Sequence, residues 1–394
     1  MSMLRKDILD CDLTKFPAVV YLAIVFFISR IPFIALGFSA FTSPTDQDVL
    51  AVVNSAYLLR YEHVYTVSRF PGYPFFEIFN SLLIGGGWIL TNFATSIISF
   101  LSLILFGKIL NQFEIKNRAL LLLTFAFIPV IWINSTITMD YMWALMFILL
   151  GSYLVFSGRY SMAGVAIGFA IGTRFTSAFM FIPFVLWALS EKASKRKILT
   201  FGSTALSTAL ILFLPVIYKY GVEFLHGSGF LYTTPVRKSM SVAASSTVIA
   251  LNNMAVELFG VATLVMLIFF VALTLKRKQF HDSENRHLLK FCWLTLLIFT
   301  LLYFIFPYKV AYLIPIVPWG LIILNEKLNK TFTIIICILL LLNSVVAVEV
   351  ISDASSSVRV DSGIVIKNYE DRISSSIEQS KDYMESLSEV LQKG

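Results

Sequence analysis

The sequence predicts an all-α polytopic membrane protein: a bundle of about eleven transmembrane helices with juxtamembrane helices in the first outer loop. Three observations predict it. Of 394 residues, 57% are hydrophobic and only 14% charged, where soluble domains carry roughly 25% charge. Apolar runs of about 20 residues recur along the chain, each long enough to cross the hydrocarbon as a helix. Cations gather in short connections between these runs, which marks those connections as cytoplasmic. That placement absorbs the net charge of +7 without any nucleic acid.

Residues 1–15 form a basic start, with Arg5, Lys6 and Lys15, expected on the cytoplasmic side. The first span, 16–38, is longer than a signal-peptide core and lacks a small-residue cleavage site, so it reads as a retained helix. Arg30 lies towards its outer end. A charge at mid-span costs about 2.5–3.5 kcal/mol, so Arg30 either snorkels to the interface or partners an anion or nearby carboxylates.

The first outer loop, 39–87, opens with Ser/Thr/Asp helix-cap residues. Val49, Val52, Val53, Ala56 and Leu59 then recur at helical spacing, predicting an amphipathic interfacial helix over 45–60. The apolar piece 73–84 is too short to cross and ends in Gly85-Gly86-Gly87, which predicts a second helix at the outer surface. Further spans are expected at 88–110, 119–137, 139–156, 161–172, 175–189, 198–217, 251–275, 287–306, 310–324 and 332–350. Their basic turns fall on one side, which leaves a long loop at 219–250 facing outward. Domain 1–350 is thus membrane-embedded, with its amino end inside. The tail, 351–394, reads as a short extracytoplasmic helical segment through Tyr369, Ile373, Ile377, Met384, Leu387 and Leu391. The three cysteines are scattered and give neither a disulfide framework nor metal-ligand spacing.

The outward face collects the acids Asp46, Asp48, Glu77 and Asp140. It also collects Arg69, Arg174, the pair Arg237-Lys238, and Lys309. A carboxylate can act as general base towards a hydroxyl, and cations at a bilayer boundary can hold a lipid phosphate. Together they suit transfer of a group from a lipid phosphate to a hydroxyl acceptor. Asp46 and Asp140 also fit as helix caps. Arg174, between two half-length spans, places polar backbone at membrane depth, where protein or a wet cavity must surround it.

The order of these features resembles the C-type (GT-C) superfamily of integral membrane glycosyltransferases, including protein O-mannosyltransferases and the lipid A aminoarabinose transferase. Arg30 precedes the acidic Asp46-Gln47-Asp48, and Ala56 stands eight positions after Asp48. Ser68-Arg69-Phe70-Pro71-Gly72-Tyr73-Pro74 matches a Pro-containing juxtamembrane segment, and Asp140 an acid opening a later span. Gly164, Gly168, Gly172 and Arg174 match a glycine-rich half-span, and residues 306–318 a late basic-Tyr-Pro-Pro stretch. The acidic motif departs from the paired acids of several members, and the tail 351–394 is expected to be too short for the large soluble carboxyl-terminal domain that some of them carry.

The resemblance implies a GT-C-like bundle and an inverting transfer of sugar from a polyprenyl-phosphate donor to a glycan, lipid or protein hydroxyl. It implies Asp48, or else Asp46, as general base. Lys309, Arg237 and Arg174 would hold the donor phosphate with Tyr312, supported by Arg30, Arg69, Glu77 and Asp140. Some relatives use a divalent metal (Mg or Mn), which Asp46, Asp48 and Asp140 could share. The chemistry would proceed at the extracytoplasmic face. Rival readings are a transporter or flippase of lipid-linked sugars or small anions, and a silent scaffold for glycan assembly.

Overall fold

The computed structural model describes residues 11–35, 37, 47–221, 268, 285–305 and 309–342, and the backbone of two later strands. Asp46, Arg237, Lys238, the turn at 306–308, most of 251–275 and the apolar stripe of the tail lie outside the described residues. The architecture is helical. Among the described residues, four stretches are long and apolar enough to cross a membrane: Pro74–Gln112, Lys195–Tyr220, Arg286–Ile305 and Val310–Lys327. Six shorter apolar helices accompany them there.

The chain opens with α1 (Ala18–Ile28) and α2 (Ile31–Ile34), broken at Ser29 and Arg30. Next come α3 (Gln47–Tyr57), a π-turn at Leu58–Glu62, α4 (Pro74–Leu83) and α5 (Gly87–Gln112). A 3-10 turn at Ile84–Gly86 and the positive φ of Gly87 (65°) separate α4 from α5. Without that break the 39-residue stretch would rise about 58 Å, nearly twice the hydrocarbon thickness.

Helix α5 separates a buried polar face from an exposed apolar one. Its buried residues include Thr91, Asn92, Thr95, Ser96, Ser99 and Ser102, while Leu90, Phe93, Ile97 and Leu101 are exposed. A water-facing helix would turn those faces the other way round. Small hydroxyl residues inside and aliphatic ones outside suit a helix that packs polar contacts against its neighbours and presents its apolar face to lipid.

The bundle continues with α6 (Arg118–Phe127), α7 (Pro129–Asn134), α8 (Tyr141–Phe156) and α9 (Tyr160–Thr173). It goes on through α10 (Phe181–Ser190), α11 (Lys195–Tyr220), α12 (Arg286–Ile305), α13 (Val317–Lys327) and α14 (Lys330–Leu342). The run expected to span 119–137 is divided where Ile128 goes extended ahead of Pro129, because a proline disfavours helical geometry in the residue before it. The run expected to span 332–350 leaves the helix at Leu342. Val346–Ser352 instead forms strand β1, paired antiparallel with β2 (Ser362–Asn368) in the register Val346↔Asn368 to Ser352↔Ser362. Four of its residues are Val or Ile, side chains that favour extended backbone. The helical stripe expected in the tail, Tyr369 to Leu391, lies beyond these strands and outside the described residues.

The tightest seam joins α9 to α11. A Cβ on Gly164 would lie 2.4 Å from the Phe201 carbonyl oxygen, and one on Gly168 would lie 2.4 Å from Thr208 Cβ. Glycine permits the two backbones to approach this closely, as small residues do between membrane helices. Gly164→Ala is expected to destabilise the protein by about 1–3 kcal/mol, read as a lower unfolding temperature in detergent. An unchanged transition would show that the seam can open without penalty.

Candidate functional site

Five charged side chains from distant parts of the chain meet where helices begin or end. Asp48 is the second residue of α3. Val49, Val52, Val53 and Ala56 of that helix are buried, and Val52 packs with Phe76 and Trp143 to seat it on the bundle. Arg69 lies on the segment leading into α4, and buried Glu77 holds that segment. Ser68 donates to Glu77 Oε1 through its backbone N–H (2.7 Å) and its hydroxyl (2.6 Å), and the Tyr65 hydroxyl donates to Oε2 (2.6 Å).

Asp140 immediately precedes α8, on a turn fastened by the hydroxyl stripe of α5. Ser96 donates to the Ser135 carbonyl (2.6 Å), Thr138 donates to Asn92 Oδ1 (2.7 Å), and the Trp143 indole donates to Thr95 (3.1 Å). Arg174 and Lys309 share one local design. Each has extended backbone and starts a 3-10 segment, Phe175–Met180 and Val310–Ile316 respectively. Arg174 directly follows α9, and both side chains reach carboxylates of the site.

There the charges alternate. Lys309 Nζ lies 2.8 Å and Arg69 Nη1 2.9 Å from the same oxygen, Asp48 Oδ2. Arg69 Nη2 reaches Asp140 Oδ1 at 3.0 Å, and Arg174 Nη1 reaches Asp140 Oδ2 at 2.6 Å. Among the described residues, three cations against two carboxylates leave one excess positive charge. Aromatic faces close over the cations: Arg69 over Tyr73 (4.5 Å), and Arg174 over Tyr141 (4.4 Å) and Tyr312 (4.8 Å).

Access falls along the chain of charges. The Asp48 and Lys309 side chains keep 25% and 29% of their surface exposed, whereas Asp140 keeps 0%. Of the two carboxylates, Asp48 is therefore the more open to an incoming hydroxyl. Burial alone would push its carboxyl up, but Arg69, then Lys309 and Arg174, reverse this and hold it below the ordinary carboxylate value.

Compared with family models, curated proteins and solved structures, the chain matches none. Function must therefore be read from the geometry.

Of the residues singled out from sequence, Asp48, Arg69, Asp140, Arg174 and Lys309 come together, with Tyr312 beside them. Arg30 does not join them. It is fully buried and neither snorkels nor meets a carboxylate. It donates to Ser135 Oγ (2.8 Å), Ser29 Oγ (3.0 Å) and the carbonyls of Phe26 (3.2 Å) and Ala126, over the face of Phe26. Its role is to brace the turn that carries Asp140. Glu77 likewise acts through the Arg69 segment. Of the three acids considered for a shared metal ion, Asp46 lies outside the described residues; between the other two, Asp48 and Asp140, stands the Arg69 guanidinium.

Sequence reasoning missed Tyr141 and Tyr73. Tyr141 directly follows Asp140 and Tyr73 sits in the Pro-Gly-Tyr-Pro turn, so adjacency to a charged motif is the signal that could have found them.

Proposed function

We propose that the chain is a C-type membrane glycosyltransferase of about eleven spans. Its amino end would lie in the cytoplasm, and it would move a sugar from a polyprenyl phosphate to an acceptor hydroxyl at the extracytoplasmic face. The observation that carries this reading is the direct contact of an accessible carboxylate, Asp48, with a cationic cluster of net charge +1.

In the reaction, the acceptor oxygen attacks the anomeric carbon opposite the phosphate and gives its proton to Asp48. The bond from anomeric carbon to phosphate oxygen breaks, and the electron pair stays on the departing polyprenyl phosphate. Lys309 and Arg174 offset the charge that grows there, the point at which fixed positive charge lowers a barrier most. Attack from the opposite face inverts the anomeric centre.

In the resting protein Asp48 is ionised but a weak base, because two cations share one of its oxygens. A donor phosphate that takes Lys309 would loosen one of these pairings and raise the basicity of Asp48. Arrival of donor would then prepare the base, which works best with a pKa near the operating pH.

Half-length helices meeting at an arginine also occur in transporters, so the test separates the two classes. Purified protein in vesicles is given a polyprenyl-phosphate sugar labelled in the sugar, with a mixture of hydroxyl acceptors. The expected result is label in a covalent product, with release of polyprenyl phosphate. Label crossing the bilayer with the donor intact would replace this reading with the transporter.

A further inference from the structure

Tyr141 is the first residue of α8 and its side chain is buried. Its ring lies beneath the Arg174 guanidinium (4.4 Å) and 6.0 Å from the ring of Tyr312. Its phenol interacts electrostatically with Arg174, Tyr312, Arg69 and Asp140. Yet its hydroxyl has no hydrogen-bond partner among the described residues, and neither has buried Nε of Arg69 in the same cluster. Buried phenols are ordinarily paired, because stripping such a group of water without replacement is unfavourable. Two unpaired donors at one net-positive site point to one acceptor-rich anion.

We infer that the Tyr141 hydroxyl, with Arg69 Nε, donates to an oxygen of the donor's phosphate group. This rests on the transferase reading and deepens it by adding two hydrogen-bond donors to the charges on Lys309 and Arg174. A phosphate oxygen suits both donors, since it accepts several hydrogen bonds at once. A carboxylate already held on both oxygens, as Asp140 is, has less room for another.

Tyr141→Phe removes the hydroxyl and keeps the ring beneath Arg174. Three quantities are measured on the purified full chain: unfolding temperature without ligand, affinity for a short-chain polyprenyl phosphate, and affinity for inorganic phosphate. The expected result is an unfolding temperature equal to or above wild type, because no internal hydrogen bond is lost. Polyprenyl-phosphate affinity should fall by about tenfold. Inorganic phosphate should weaken in parallel if the headgroup alone is recognised, and should bind neither protein if the lipid chain is needed for capture.

Equal affinity of variant and wild type for polyprenyl phosphate would overturn the inference and leave the transferase reading standing. A lowered ligand-free unfolding temperature with unchanged affinity would also overturn it, by assigning the hydroxyl a structural role. Failure of wild type to bind either phosphate would overturn both.

Discussion

Asp48→Asn is expected to lower the rate of sugar transfer by about 10²–10⁴-fold, the range a positioned general base supplies. Asparagine keeps the shape and one acceptor oxygen but cannot take a proton. The charge balance makes the effect diagnostic. Wild type has three cations against two carboxylates, so loss of one carboxylate raises the cluster from +1 to +2. Donor phosphate should bind the variant as well as wild type or better, so kcat falls while KM for donor does not rise. A variant that loses donor affinity as well would assign Asp48 to binding. If Asp48→Asn and Asp46→Asn both transfer sugar at full rate, the chain has no aspartate base in this motif.

The pH profile follows from the same contacts. Asp48 is held below its ordinary value by Arg69, Lys309 and Arg174. Its contribution to stability is therefore present above the unfolded value of about 3.9. It is lost only as pH falls through the lower folded value. The kcat/KM of free enzyme should accordingly show no acid limb from Asp48 between about pH 5 and 8. High salt should weaken this end of the cluster, since Asp48 and Lys309 are partly open to solvent.

How much of this was legible depended on whether a residue's meaning lay in its own neighbourhood. Asp48 and Lys309 could be placed on one face because the alternation of basic turns orients every connection between them. Their contact, across most of the chain's length, follows from where helices end. Arg174 was legible for the same reason, as a charge that interrupts an apolar run. Arg30 was not, because a cation near the end of a span reads alike whether it reaches for water or for carbonyls. What decides it is the position of Ala126 and Ser135, which no local pattern contains. Tyr141 was hidden by its class, since tyrosines at helix starts in membrane proteins ordinarily sit at the interface. The run 346–352 was apolar enough to extend a span, but its β-branched residues favour a strand once the helix has stopped at Leu342.

Asp140→Asn is expected to be the most destabilising single change at the site, at about 3–5 kcal/mol. That is a large share of the roughly 5–15 kcal/mol that holds a domain folded. Asp140 is fully buried and bonds two guanidinium groups through separate oxygens, so its loss leaves Arg69 and Arg174 facing each other at the least solvated end. The cause would be the stranded cations and not a missing bond, and this distinguishes it from simple loss of packing. Adding Arg174→Met to Asp140→Asn should therefore restore part of the lost stability, because methionine fills much of the space and removes one uncompensated charge. The measurement is thermal unfolding in detergent for both single variants and the double. A double variant less stable than either single would mean that the two residues contribute independently. Asp140 would then be an ordinary helix-start carboxylate, and the five side chains would not form one electrostatic unit. Recovery in the double variant, with transfer still absent, would give the pair a second role, that of holding Arg69 at the height where it meets Asp48.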